Sequence, residues 1–289
     1  MKLRDVLALI VLIAVALGGK LYRDGLDAPP PQRRPDPGQF RPPSPGAAPS
    51  SSGREVGPVL PPESARDPRL VVEVEDKTHP ATGTAFSVNR SGVWITARHV
   101  THGCELVALR NRSGRLVRVQ RVSEQPDSDI SILWTNGGAP ALPLVDPELR
   151  IGQPGYSFGF PRGEPGDVYA SLIGRGTMLA RGRYNTEEPV VAWAQLRRAP
   201  DRGADLGGIS GGPWVNAAGE VIGVHVAGAP RRGRSYSTAP RSIRTAVERT
   251  GILPQAGPET LPPGDTLSPD SFGNIGNALR RQLTVAQVI

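Results

Sequence analysis

Residues 69–253 read as a series of short apolar runs separated by polar turns. LVVEVE (70–75) alternates apolar and polar positions, the period of a strand with one covered face. TGTAFSV (82–88) and VWIT (93–96) flank Asn89-Arg90-Ser91-Gly92, a hairpin turn by composition. ELVALR and RLVRVQRV flank a second such turn, Asn111-Arg112-Ser113-Gly114. DISILW (129–134), YSFGF (156–160), VVAWAQL (190–196), PWVN (213–216) and VIGVHV (221–226) continue the series. A periodic run of helical length comes only at about 242–249. Many short strands at regular spacing predict an all-β barrel or sandwich. No internal repeat of fixed period runs through the region.

The flanks follow other patterns. From 28 to 63, 12 of 36 residues are proline, mixed with Ser, Gly and Arg. Such a stretch buries too little apolar surface to fold, and predicts an extended linker over 28–68. Ahead of it, MKLRD carries positive charge and residues 6–19 form an uninterrupted apolar run of 14. That predicts a signal peptide or a membrane anchor within 1–27; either exports the chain, to the periplasm or the exterior. Residues 254–289 are Pro-rich and then weakly helical (NALRRQLTVAQVI), and are expected as a tail with a short helix outside a domain at 69–253.

Charge and cysteine content narrow the classes. The formal charge is +7, with 31 arginines against 3 lysines. A basic balance suits nucleic acid or anionic membrane, but the charges are scattered and aromatics are only 5%, so no stacking platform for nucleic acid is expected. Arg110, Arg112, Arg115, Arg118 and Arg121 crowd one predicted hairpin as a solvated face, with docking of an anionic partner as the alternative. A single cysteine, Cys104, excludes a disulfide-stapled fold. Nothing in the pattern encodes an oligomeric state.

The densest chemistry lies in GGISGGPWVN (207–216). A phosphate cradle would need a helix after the glycines, whereas Pro213 and a strand follow. The G-x-S-x-G elbow of an α/β-hydrolase would need an acid and then a histidine downstream. Only Glu220 and His225 follow closely, with no room for alternating strands and helices. The order His, Asp, Ser fits instead. His99 follows the strand of WITARHV, Asp129 opens DISILW, and Ser210 sits in the glycine loop. A serine hydroxyl becomes a nucleophile when a base takes its proton, and a carboxylate holds that base in place. Glycines keep side chains clear of the Gly208 and Ser210 amides, candidate donors to an oxyanion. Asp127 is the rival to Asp129, two residues ahead of the strand. His99-x2-His102-x-Cys104 has no fourth ligand at a plausible spacing, so no metal or cofactor is expected.

At these residues the chain resembles the trypsin/chymotrypsin-like serine proteases, and more closely the compact bacterial HtrA-like and glutamyl-endopeptidase-like members without a PDZ domain. GTAFSVNRSGVWITARHV is similar to their histidine region, DSDISIL to the aspartate strand and GGISGGPWVNAAGEVIGV to the serine region. The resemblance implies two six-stranded antiparallel β-barrels and a serine endopeptidase with His99, Asp129 and Ser210 as triad, acting on proteins or peptides. It also implies that Val226 to Gly228 pairs with the substrate backbone. His225 stands where a histidine of glutamyl endopeptidases meets an acidic side chain; a core histidine is the competing reading, with cleavage after Arg or Lys expected if Asp205 lines the pocket and after small apolar residues if neither group reaches it. The chain departs from vertebrate-type members in carrying Ile209, not aspartate, before the serine, and in lacking a disulfide beside the histidine. A protease-like scaffold that binds without cutting is the second reading of the whole, and an arginine-rich binder of anionic polymers the third.

Overall fold

The computed structural model describes residues 56–75, 82–201, 205–229, 232–254, 261 and 266–289. The N-terminal apolar run and most of the proline-rich linker lie outside them. After β1 (Arg69–Val74) come β2 (Gly83–Asn89), β3 (Val93–Thr96), β4 (Ala108–Arg110), β5 (Leu116–Glu124) and β6 (Ser131–Thr135). The short helix α1 (Arg98–Thr101) lies between β3 and β4. Then follow β7 (Pro154–Gly159), β8 (Gly166–Gly182), β9 (Thr186–Ala199), β10 (Pro213–Val215), β11 (Val221–Ala229) and β12 (Arg234–Thr238). Helices α2 (Pro240–Thr250) and α3 (Phe272–Arg281) precede the last strand, β13 (Val285–Val288).

Two rings result. The first is a closed barrel in the order β13-β2-β3-β6-β5-β4. The second runs β8-β7-β10-β11-β12-β9 and closes through the β8–β9 pairing, with β1 added parallel to β8. This is the all-β double-barrel architecture that the strand spacing and the resemblance imply.

Local chemistry explains the turns. Asn89 Oδ1 accepts the Ser91 N–H at 2.6 Å, and Gly92 takes a φ of +96°, which side chains rarely tolerate. A Cβ at Gly92 would lie 2.4 Å from the Thr135 carbonyl oxygen, so the turn demands glycine twice over. All seven residues of β2 are buried, because both its faces are covered. Phe86 and Val88 join a core with Ile95, Ile132 and Val285, while Ala85 packs with Trp94, Leu133 and Val226.

Three features differ from the sequence reading. The segment at 254–289 does not end as a tail with a short helix: besides α3 it supplies β13, which pairs with both β2 and β4 and completes the first barrel. Val285, Ala286 and Val288 are buried there, so the apolar positions that read as weakly helical are used at strand spacing. Residues 56–68, read as linker, pack on the domain. Leu60 is buried with Leu149 and Trp193, and its N–H donates to the Leu149 carbonyl at 2.7 Å. The 17-residue β8 was not legible, because Gly174, Gly176 and Arg175 interrupt its alternation and its pairing shifts register at Leu172/Gly174.

Helix α3 is tied to the second barrel by an ion pair. Arg280 donates to both oxygens of Asp167 in β8, at 2.6 and 2.9 Å, with side chains 8% and 1% exposed. Burial lifts the Asp167 carboxyl to about 6, and the guanidinium only partly offsets that. Arg280→Ala leaves the carboxylate buried and unpaired, and is expected to destabilise the fold by about 3–5 kcal/mol in urea unfolding at neutral pH. A folded carboxyl titrating above its unfolded value loses stability as pH rises. The penalty of the variant is therefore expected to shrink on acidification toward pH 6.

Candidate active site

His99 and Asp129 meet as the sequence order requires. β3 ends at Thr96, Ala97 is extended, and the chain turns into α1 with His99 in its first turn. His99 Nδ1 lies 2.6 Å from Asp129 Oδ2, and the His99 backbone N–H donates to Asp129 Oδ1 at 2.8 Å. Asp129 is 2% exposed, just ahead of β6, and its carbonyl accepts the Arg98 N–H at 3.2 Å. A carboxylate only accepts, so Nδ1 of the neutral ring carries the hydrogen and Nε2 keeps a free lone pair. Burial lowers the imidazole pKa, but the charge and hydrogen bond of Asp129 raise it more; Arg183 opposes them. The net shift is upward. Asp127, the rival, is engaged elsewhere: Arg249 donates to both its oxygens, at 2.9 and 2.8 Å, and holds its carboxyl below the usual range.

The serine loop joins β9 to β10 and is anchored on the first barrel. Thr84 of β2 donates its N–H to the Ser210 carbonyl and its hydroxyl to the Gly208 carbonyl, both at 2.8 Å. Gly211 has a φ of +86°, and a Cβ there would lie 2.2 Å from Thr96 Oγ1 and 2.8 Å from the Ala97 nitrogen. The loop thus presses against the end of β3, three residues ahead of His99. Ser210 is half-buried.

Peptide planarity fixes the amides. The Gly207 carbonyl accepts the Arg162 N–H, so the trans peptide directs the Gly208 N–H the opposite way. The Ile209 carbonyl accepts the Gly212 N–H at 2.9 Å and does the same for the Ser210 N–H. Among the described residues neither the Gly208 nor the Ser210 amide has a protein acceptor. Gly208 needs its glycine: φ is +99°, and a Cβ would lie 2.5 Å from the Phe160 carbonyl oxygen. Ile209 is fully buried with Leu206 and Trp214, an apolar site where an aspartate would need a cationic partner.

The other sequence candidates fall as follows. His102 Nδ1 is 2.5 Å from Glu124, and Cys104 Sγ donates to the Val100 carbonyl. His225 is 2% exposed, with its ring near-parallel to Trp214 at 6.0 Å and its Nδ1 without a partner among the described residues. Burial, and then the charge of His99, push it down to about 3, so it is neutral. Its backbone holds the serine loop: the carbonyl accepts the Gly211 N–H and the N–H donates to the Gly212 carbonyl, both at 2.8 Å. Pairing of β10 with β11 stops at Pro213↔Val224, so at Val226–Gly228 the edge of β11 opposite β12 has no strand beside it among the described residues. Sequence reasoning missed Thr84, Tyr184 and Glu188. The tyrosine hydroxyl donates to Asp129 Oδ1 at 2.8 Å, and Glu188 Oε1 accepts the Asp129 N–H at 2.7 Å.

Two closed barrels, with a serine loop of one anchored beside the histidine–aspartate pair of the other, define the architecture of a trypsin-like serine peptidase. Residues 83–224 match the model of the trypsin-like peptidase domain. Curated relatives include a probable periplasmic serine endoprotease DegP-like of Hahella chejuensis, 28% identical over 50% of this chain and 29% of its own length. The putative serine protease HhoA of Synechocystis is 28% identical over 50% of this chain and 36% of its own length. The chain thus spans about a third of the length of the curated relatives it matches. Among solved structures, the active form of the Rv3671c protease of M. tuberculosis aligns with a TM-score of 0.49 at 17% identity, over 69% of this chain and 97% of that one.

The ring of His99 supplies a direct check on the geometry. By NMR titration it is expected to protonate above its ordinary 6.5, because Asp129 outweighs burial. In Asp129→Ala only burial and Arg183 remain, and the same resonance is expected to titrate below 6.5.

Proposed function

We propose that this chain is an exported serine endopeptidase that cuts protein or peptide substrates. The observation that carries the reading is the 2.6 Å pairing of His99 with a buried Asp129, which leaves Nε2 as the basic atom. In this reading Ser210 Oγ attacks the scissile carbonyl while Nε2 takes its proton. The Gly208 and Ser210 amides stabilise the oxyanion, where one donor is worth roughly 10² to 10³ in rate. His99 then protonates the leaving amine, and water releases the acyl group by the same steps. The match to the peptidase family model and the names of the DegP-like relatives, described as periplasmic, support export. The apolar run at 6–19 would supply the signal or the anchor. A domain that binds peptides without cutting is the second reading, favoured by nothing in the geometry.

A fluorophosphonate probe separates the two. The wild-type chain is expected to be labelled and to hydrolyse peptides, while Ser210→Ala loses both and keeps its unfolding midpoint. Equal labelling of the variant would overturn the assignment, and an unlabelled wild type would favour the scaffold.

The free edge at Val226–Gly228 is the place for the substrate backbone, by strand addition. With His225 buried and neutral, we propose a small apolar residue before the cut rather than glutamate. A fluorogenic peptide library is expected to rank small apolar residues above Glu and Arg. A glutamate preference that vanishes in His225→Val would return that histidine to the pocket.

A further inference from the structure

The triad reading leaves unexplained why the hairpin of β8 and β9, strands of the second barrel, reaches across to Asp129 in the first. Its tip carries Arg183 and Tyr184, and Glu188 lies on β9 just beyond. Tyr184 is 7% exposed, and its hydroxyl donates to Asp129 Oδ1 at 2.8 Å. Glu188 is 1% exposed, and its Oε1 accepts the Asp129 N–H at 2.7 Å. Arg183 donates to the His99 carbonyl at 3.0 Å, and its own N–H bonds the Val74 carbonyl of β1 at 3.1 Å. Three contacts from one hairpin therefore bear on the two residues whose mutual geometry matters most.

We propose that Tyr184 and Glu188 are positioning residues that fix the rotamer and backbone of Asp129 for its work on His99. The proposal rests on the triad reading and goes beyond it. The tyrosine ring is itself held, edge-on to His102 at 5.0 Å and under the Arg98 guanidinium at 4.2 Å, so the hydroxyl arrives in a fixed place. Burial, and then the negative charge of Asp129, push the phenol upward, so it stays a donor at every working pH. Glu188 Oε2 has no partner among the described residues, and burial, then the Asp129 charge, raise its carboxyl well above the usual range. A neutral acid at that place accepts the Asp129 N–H without setting a second negative charge beside the first. Apart from these, the charged and titratable groups around His99 and Asp129 include Arg98, Asp127, Arg183 and His225, with His102 against the Tyr184 ring and Glu73, Glu75 and Cys104 lining the same cavity.

Tyr184→Phe keeps the ring and removes only the donor. The Asp129 carboxylate, with one donor fewer, holds the His99 proton more tightly. The full-length variant is expected to lose roughly tenfold in kcat/KM, the loss expected of one hydrogen bond to a charged group. The acid limb of its pH profile is expected to move to higher pH, and the His99 NMR titration to move the same way. A purely structural tyrosine would lower the unfolding midpoint and leave both the limb and the titration in place, which would overturn the proposal. Because the NMR readout needs no turnover, a wild type that neither labels nor cuts would count against the endopeptidase reading while still deciding this one. For Glu188, Glu188→Gln keeps an acceptor for the amide and is expected to recover most of the activity lost in Glu188→Ala. Equal loss in both would remove Glu188 from the role.

Discussion

Burying one carboxylate is the constraint on which the rest of this structure turns. Asp129 is 2% exposed, and an ionised carboxylate out of water is tolerated only when its polar atoms are matched. Here they all are. Oδ1 accepts from Tyr184 and from the His99 amide, and Oδ2 faces His99 Nδ1. The N–H goes to Glu188, and the carbonyl accepts from Arg98. These partners come from α1 of the first barrel and from the β8–β9 hairpin of the second. The same hydrogen bonds that make the burial tolerable also fix how the hairpin sits against the first barrel.

The serine loop obeys the complementary rule. Its carbonyls are tied down so that two amides stay free. Arg162 and Gly212 occupy the Gly207 and Ile209 oxygens, and Thr84 takes those of Gly208 and Ser210. Glycine is needed because backbone from neighbouring segments approaches within 2.1–2.5 Å of where a Cβ would stand at Gly208, Gly211 and Gly212. The glycines are therefore a packing requirement of the barrel junction as well as an opening toward a ligand.

How much of this was legible follows from the range of each interaction. Strand runs and turns are local, and 82–88, 93–96 and the Asn89–Gly92 turn read directly. His99, Asp129 and Ser210 stand out as candidates because each sits in a local context that marks it: a strand end, a strand mouth, a glycine loop. Tyr184 and Glu188 had no such mark. RYNTEEP (182 is the preceding glycine) is polar and turn-like, and its meaning lies in contacts 55 and 59 residues away along the chain. β13 was missed for the same reason. VAQV is too short to show a period, and it becomes a strand only because β2 and β4 leave a slot for it.

That slot has a consequence for assembly. β13 pairs Val285 with Phe86 and Val288 with Gly83, contacts separated by about 200 residues, whereas β2, β3 and their turn are neighbours in sequence. The first barrel can therefore form most of its ladder early but cannot close until the end of the chain arrives. Until then β2 and β4 both have open edges, which are places for wrong pairing. β2 is also the strand that holds the serine loop through Thr84. Closing the barrel and securing that loop thus share one strand. Any change that loosens α3 or β13 is transmitted to the loop through β2, although neither element touches Ser210 in the contacts described above.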